Sequence, residues 1–124
     1  MTQENTYTNL YTDLRKIKDL SLRSNNEKFL SKLFFMNKYS DTFSEETCNI
    51  FWNVSNNGHT SFEFVPTQFT MKHVNSFAKA GFLVLIILKE KDNTRILRYN
   101  KNHLPKLQYE DKPPKDLVNI QVYC

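Results

Sequence analysis

Residues 71–90 read MKHVNSFAKAGFLVLIILKE, and this stretch decides the fold class. Its first half has the apolar spacing of an amphipathic helix, which we expect to run from about Gln68 to Lys79. Gly81 then stands where a residue in the left-handed conformation ends many helices. The run from Phe82 to Leu88 is too short and too β-branched for an isolated helix, so it predicts a strand covered on both faces. The helix residues expected to face inward are Phe69, Val74, Phe77 and Ala78.

The flanking segments predict further helices and strands. Apolar residues at three- and four-residue spacing favour a helix from Asn9 to Leu20. A second helix follows within residues 21–35, with Ser24 or Asn25 as its cap and with one apolar stripe. That stripe consists of Phe29, Leu30, Leu33 and Phe34. The segments expected to form strands, the first two as a β-hairpin, are residues 48–55, 61–65, 93–100 and 117–123.

The order of these elements predicts the architecture. Helices, a hairpin, a helix, a buried strand and further strands favour an α/β or α+β fold with a small mixed sheet flanked by helices. A chain of 124 residues is long enough for one modest core, so we expect residues 1–124 to form a single domain. A composition of 40% hydrophobic and 24% charged residues is typical of a globular protein rather than a disordered one.

The chain carries no sequence signal for secretion, for a membrane span or for a structural metal. Its first residues, MTQENTYTNLYTDL, lack the basic and apolar regions of a signal peptide. The longest apolar run, residues 81–88, is far too short to cross a bilayer. Cys48 and Cys124 lie far apart and form neither a disulfide framework nor a zinc motif. We therefore expect an intracellular protein whose sequon Asn53-Val54-Ser55 is never glycosylated.

Charge is distributed unevenly along the chain. Residues 1–65 carry seven basic and eight acidic side chains, whereas residues 66–124 carry ten basic and five acidic ones. The formal net charge of +4 therefore comes from the second half. We expect an anionic partner, of which nucleic acid is the most common, although an ordinary solvated basic surface explains the same charges.

The stretch around the central helix resembles a known family. Thr67-Gln68 opens the helix, Phe77 to Gly81 closes it, and Phe82 to Leu88 supplies the strand. In this order the residues resemble the C-terminal half of the PD-(D/E)xK nuclease core, especially that of the Holliday-junction resolvases. The resemblance implies a restriction-endonuclease-like core, DNA as a partner and a two-fold homodimer. The small size and the composition rich in Asn and Lys suggest a phage or viral protein.

The resemblance also implies positions for a catalytic site. The family uses an Asp at the end of one strand and an acid-x-Lys on the next, because side chains two residues apart on a strand enter one cleft and bind Mg²⁺ there. These positions correspond to Asp41, Asn53 and Ser55. Asn53 is a weak metal ligand and Ser55 lacks the lysine charge. The resemblance therefore implies a protein that binds nucleic acid without cleaving it and needs no cofactor. An ordinary hairpin strand with polar residues facing solvent explains the same pattern.

The sequence leaves two alternatives open. If Glu63 turns toward Asp41, the two carboxylates would hold Mg²⁺ and Gln68 would contact a phosphate or a metal-bound water, giving a metal-dependent endonuclease or junction resolvase. Alternatively, the fold serves as a protein-interaction module or inhibitor that does not bind nucleic acid. The residues expected to follow a phosphate backbone are Lys72, His73, Lys79, Lys89, Lys91, Arg95, Arg98 and Lys101.

Overall fold

The structure is a computed structural model, and it describes residues 3–20, 23–57, 61–63, 70–106 and 114–123. These residues form the helices α1 (Gln3–Asp19), α2 (Asn25–Tyr39), α3 (Glu45–Asn56) and α4 (Met71–Ala80). They also form the strands β1 (Ser61–Glu63), β2 (Leu83–Glu90), β3 (Asn93–Tyr99) and β4 (Leu117–Tyr123). The expected α+β class is confirmed.

The chain divides into two compact units. The helical unit comprises residues 12–59 and holds the second half of α1 together with α2 and α3. The sheet unit comprises residues 1–11 and 60–124 and holds the first half of α1, helix α4 and the strands. The expectation that residues 1–124 form a single domain stays a prediction.

The described strands form one sheet in the order β1-β4-β2-β3. Strand β2 pairs with β3 on one side and with β4 on the other, and β1 pairs with the outer side of β4. Every pair among the described strands is antiparallel, so the expectation of a mixed sheet is wrong in this respect. Part of the reason is the two-residue connection between β2 and β3, which joins only antiparallel neighbours.

Helix α4 packs against β2, and alternate residues of the strands are buried. Val84, Ile86 and Leu88 of β2 are buried, as are their neighbours Ile120 and Val122 on β4. The intervening apolar residues of β2 are only half-buried. The predicted strand is therefore confirmed, but only one of its faces is fully covered. We call that side of the sheet the buried face and the other, partly covered side the half-buried face.

Helix α4 begins at Met71, with Thr70 as its N-cap. The ring of His73 accepts a hydrogen bond at Nδ1 from the backbone N–H of Thr70, 3.0 Å away. This is the arrangement of a capping box in which His takes the place of Glu or Gln. The predicted start at Gln68 and the inward residue Phe69 lie outside the described residues. The other predicted inward residues are buried as expected, and they are Val74, Phe77 and Ala78.

Gly81 ends α4, as predicted, and turns the chain directly into β2. Its φ of 119° lies in the left-handed region that favours glycine. The Phe82 N–H donates a hydrogen bond across this turn to the Phe77 carbonyl at 3.1 Å. The rings of Phe77 and Phe82 meet edge to face at 5.5 Å, and the ring of Tyr11 lies 4.8 Å from that of Phe82. One glycine therefore joins a helix, a strand and the N-terminal segment in an aromatic cluster.

Residues 48–55, predicted as a strand, belong to helix α3 instead. Ser44 caps this helix by accepting a hydrogen bond from the Thr47 N–H at 3.2 Å. Two glutamates in the first turn also stabilise the helix, because their negative charges lie at the positive end of the helix dipole. The buried residues stand at positions i, i+3, i+4 and i+7, the spacing of one helical face. They are Cys48, Phe51, Trp52 and Ser55. The strand prediction is wrong because burial of this face outweighs the β-propensity of the aromatic and β-branched residues.

The predicted hairpin between residues 48–55 and 61–65 is wrong for the same reason. Strand β1 pairs instead with β4, which places Phe62 opposite Ile120 and Glu63 opposite Asn119. These strands are distant in sequence, so their pairing leaves no local signal such as a turn of fixed length.

The helical unit contains an aromatic core and a polar contact between α1 and α2. The ring of Phe35 lies 4.8 Å from that of Tyr39 and 6.4 Å from that of Trp52. Asp13 on α1 accepts hydrogen bonds from the Tyr39 hydroxyl at 2.8 Å and from the Lys38 ammonium at 2.7 Å. Burial and the hydrogen bond to Asp13 raise the pKa of Tyr39, so the phenol stays protonated and donates. These contacts connect α1, α2 and α3 within the unit.

Helix α2 is capped by Ser24, as predicted, but its predicted apolar stripe is not its buried face. The buried residues of this helix are Phe35 and Tyr39. The stripe is exposed, with fractions of 62% for Phe29, 65% for Leu30, 48% for Leu33 and 74% for Phe34. The helix has apolar residues on more than one side, and only its contacts within the helical unit decide which of them are buried.

Removing the Tyr39 hydroxyl tests the polar contact of the helical unit. In Tyr39→Phe the carboxylate of Asp13 loses a partly buried donor, and we expect the free energy of unfolding to fall by about 1.5 kcal/mol. Lys38→Met removes the other donor, whose side chain is 40% exposed, and we expect a loss of less than about 1 kcal/mol. Urea denaturation measures both values. Equal losses would contradict the larger role assigned to the hydroxyl.

Candidate nucleic-acid interface

Two of the residues that the nuclease resemblance placed in a catalytic site lie on a helix. Asn53 and Ser55 belong to α3, where side chains two positions apart point about 200° apart around the axis. Asn53 is exposed, whereas Ser55 is buried. The expectation that both side chains enter one cleft from a strand is therefore wrong.

The other predicted catalytic positions are placed separately. Asp41 is exposed in the turn after α2, in the helical unit. Glu63 ends β1 in the sheet unit and only its backbone is described, while Gln68 lies outside the described residues. Among the described residues, no group of three His, Cys, Asp or Glu side chains is arranged to hold a metal ion. The metal pair of Asp41 and Glu63 and the role of Gln68 stay predictions.

Cys48 is a core residue rather than a reactive thiol. It is fully buried on α3, and its Sγ lies 3.8 Å from the carbonyl oxygen of Tyr39. Burial, and to a lesser extent the charge of Glu45, raises the pKa of the Cys48 thiol. A nucleophilic cysteine needs an accessible thiolate, so these surroundings disfavour that role.

The predicted basic residues of α4 have different environments. Lys72 is exposed, and Lys79 is half-buried with its ammonium 5.5 Å from the centre of the Tyr7 ring. That distance is typical of a cation–π contact. His73, also expected to contact phosphate, is buried at 7% exposure and caps the helix. His73 therefore supports the start of α4 rather than an exposed surface.

The remaining predicted basic residues lie on the β2–β3 hairpin and on the turn that follows it, and all of them are exposed. Residues 83–106 contain six Lys or Arg against two Asp or Glu, an excess of four positive charges. Arg95 forms an ion pair with Glu90 at 3.5 Å, which contributes little because both side chains are largely exposed. We call this region, together with two nearby rings, the hairpin surface. It consists of Lys89, Lys91, Arg95, Arg98, Tyr99, Lys101 and His103.

The strand register places cations on both faces of the hairpin. Arg98 lies opposite Leu85, and alternate residues of a strand share a face, so Arg98 and Lys89 belong to the half-buried face of the sheet. Arg95 lies opposite Leu88, which is buried, so Arg95 belongs to the buried face of the sheet. Its position is close to the turn of the hairpin. Because Arg98 pairs with Leu85, it is displaced from Lys89 by four residues along the strand direction, or about 13 Å.

Lys91 occupies a strained position at the tip of the hairpin. Its φ is 46°, and among the described residues it alone combines a side chain with a positive φ. The left-handed conformation costs a residue with a Cβ atom about 1 kcal/mol relative to glycine. The sequence therefore has a lysine where turn geometry favours glycine or asparagine.

Strand β3 runs into a tight turn that carries two stacked rings. The backbones of Asn100 and His103 exchange hydrogen bonds at 3.0 and 3.1 Å, and the Asn100 Oδ1 accepts a third from the Asn102 N–H at 2.9 Å. The turn exposes Lys101 at its tip. It also stacks the ring of His103 on that of Tyr99, with centroids 5.5 Å apart and planes 13° apart.

An open pocket with a volume of about 460 Å³ lies beside this stack. Its lining combines apolar side chains of β3 with one guanidinium and two rings, from Ile96, Leu97, Arg98, Tyr99, Asn100 and His103. Sequence reasoning identified Arg98 but missed both rings. The signal was present in the turn-forming residues Asn-Lys-Asn between Tyr99 and His103, which predict that the two rings meet.

Comparison with known proteins adds no relatives to these observations. The chain matches no protein-family model, no curated protein and no solved structure. The nuclease resemblance therefore rests on the residues that carry it and stays a prediction. Separately, none of the described helices is both long and apolar enough to cross a bilayer.

Restoring the missing acid tests the catalytic interpretation. Asn53→Asp places a carboxylate where the nuclease family has one, but on an exposed helical position facing away from Ser55. We expect the variant to keep its circular dichroism spectrum and to produce no Mg²⁺-dependent nicking of supercoiled DNA. The control is Asp41→Ala in the same background. Nicking that appears in Asn53→Asp and is abolished by Asp41→Ala would contradict the helical placement and restore the endonuclease interpretation.

Proposed function

We propose that this protein binds nucleic acid through the hairpin surface, without a catalytic step of its own. The observation that carries the proposal is the group of five exposed cations on one two-stranded hairpin and its adjoining turn. Such a group attracts a polyanion, because each phosphate contact releases condensed counterions from the nucleic acid.

The spacing of the cations supports a polymer rather than a small anion as the ligand. Lys89 and Arg98 share one face of the hairpin but stand about 13 Å apart along it. Arg95 lies on the opposite face, and Lys101 is carried by the turn beyond β3. A single phosphate or carboxylate cannot contact all of these groups, whereas successive phosphates along a strand can.

The stacked rings favour single-stranded nucleic acid over a duplex. Tyr99 is half-buried and His103 is exposed, and both line an open pocket next to the guanidinium of Arg98. Aromatic side chains bind single strands by stacking on unpaired bases, while cations beside them track the backbone. Bases inside a duplex are already stacked and offer no free face to such rings.

An alternative explanation assigns the cations to protection of the sheet edge. Strand β3 has only β2 as a neighbour among the described strands, and charged side chains keep an exposed edge from pairing with other chains. Edge protection requires charge of either sign, however, whereas binding of a polyanion requires positive charge. Reversal of one charge therefore separates the two explanations.

Arg98→Glu provides this test. We expect its affinity for a fluorescent single-stranded oligonucleotide at 50 mM salt, measured by anisotropy, to fall at least about tenfold relative to wild type, on the scale of one lost phosphate contact. The slope of log K against log salt should also become shallower by about 0.7. The matched control is Lys16→Glu, which changes the net charge equally at an exposed position on α1.

The outcomes of this experiment discriminate among the candidate functions. Equal losses in Arg98→Glu and Lys16→Glu would exclude the hairpin surface as the binding site. Absence of binding at 50 mM salt by the wild-type chain would overturn the proposal and leave the protein-interaction module. Equal affinity for duplex and single strand would remove the role of the rings but leave the polyanion site.

Two substitutions of Lys91, at the tip of the hairpin, distinguish its effect on stability from its effect on binding. Lys91→Gly relieves the left-handed strain, and we expect the free energy of unfolding to rise by about 0.5 to 1 kcal/mol while the affinity for single-stranded oligonucleotide falls. Lys91→Met is the matched control, since it loses the same charge and keeps the strain. It should show the lower affinity without the gain in stability. Unchanged affinity in both variants would remove Lys91 from the hairpin surface.

A further inference from the structure

Helix α2 carries a continuous apolar stripe on its exposed side. Four large side chains, each between 48% and 74% exposed, occupy two adjacent turns of this helix, and an uncharged asparagine flanks them at either end. We call these six residues the outer stripe: Asn26, Phe29, Leu30, Leu33, Phe34 and Asn37. Exposed apolar residues that stand alone need no explanation, but a contiguous group marks an interaction surface.

The outer stripe is a palindrome. Read in either direction along the helix, its residues are Asn, Phe, Leu, Leu, Phe and Asn, and the centre lies between Ser31 and Lys32. Two copies of α2 packed antiparallel around a two-fold axis at that centre would match like with like. Asn26 would lie level with Asn37 of the second copy along the helix axis, Phe29 level with Phe34, and Leu30 level with Leu33.

This symmetry makes the outer stripe complementary to itself. In a two-fold dimer the same patch serves both partners, so residue i contacts residue j and residue j contacts residue i. Because its polar and apolar positions are symmetric about the centre, an antiparallel second copy covers the apolar residues of the stripe with apolar residues and its asparagines with asparagines. The palindrome therefore favours a second copy of this chain as the occupant of the stripe.

The helix dipoles favour the antiparallel orientation. In an antiparallel pair the positive N-terminal end of each α2 lies beside the negative C-terminal end of the other, whereas a parallel pair would place like ends together. The side chains add little to this preference, because Lys28 balances Glu27 in the first turn and Lys38 in the last turn is already paired with Asp13.

The size of the stripe is consistent with the apolar centre of a dimer interface. A phenylalanine buries about 150 to 250 Å² when fully covered. Two phenylalanines and two leucines therefore supply on the order of half of the roughly 800 Å² that a stable interface covers on each partner. The polar residues around the stripe would form the rim, which is the usual composition of such interfaces.

We propose that the chain forms a homodimer through antiparallel packing of α2 against α2 of a second copy, with the two-fold axis between Ser31 and Lys32. This inference is independent of the proposed nucleic-acid binding, because it rests on residues of the helical unit and the hairpin surface belongs to the sheet unit.

Sedimentation equilibrium of the full chain tests the dimer. Concentrations from about 1 to 300 µM span weak and strong self-association. We expect wild type to dimerise and Leu33→Glu to weaken the dimer at least about thirtyfold, as for a central interface residue. Val118→Glu is the matched control, because Val118 is 51% exposed and Leu33 48%. Circular dichroism verifies the fold of both variants. A monomeric wild type, or equal weakening in the two variants, would overturn the proposal.

Cross-linking tests the antiparallel register. In a Cys124→Ser background, where the buried Cys48 is the remaining thiol, we expect a mixture of Asn26→Cys and Asn37→Cys chains to form mixed disulfides readily. Either variant alone should cross-link poorly, since antiparallel packing separates identical positions by about 16 Å along the axis. Efficient cross-linking of either variant with itself would indicate parallel packing and would overturn the proposed register.

Discussion

Gly81 connects helix α4 to strand β2 through a single residue, and the organisation of the sheet unit depends on that connection. A left-handed φ of 119° reverses the chain within one residue, which a side chain with a Cβ atom would oppose. The reversal brings Phe77 and Phe82 together and adds Tyr11 to the same cluster. With its start fixed in this way, β2 places alternate apolar residues, Val84 and Ile86 among them, on the buried face.

The position of β2 in the sheet also explains the position of the hairpin surface. Because β4 occupies one side of β2, strand β3 takes the other side and becomes an edge strand among the described strands. An edge strand needs charge to remain unpaired, and it also exposes its side chains to a ligand. The proposed binding surface therefore combines the two requirements, and the strain at Lys91 is consistent with a functional role for its charge.

The helical unit shows how an excess of apolar residues leads to a second surface. Helix α2 uses Phe35 and Tyr39 for contacts within the unit, and Asp13 fixes the helix through the Tyr39 hydroxyl. The outer stripe is left on the opposite side with its phenylalanines largely exposed. Burial within one chain therefore does not account for all the apolar residues of α2, which is the reason for assigning a partner to them.

The sequence by itself determined the elements whose signals are local. The segment from α4 through Gly81 to β2, the strands β3 and β4 and the Ser24 cap were predicted because capping residues, a glycine at a helix end and apolar runs act over a few neighbours. The positive charge of the second half was also evident from the sequence. Only the tertiary structure decided that residues 48–55 are helical, that β1 pairs with β4 and which face of α2 is buried. Aromatic and β-branched residues fit a strand or a buried helix equally well over eight positions, and the choice depends on contacts with residues distant in sequence.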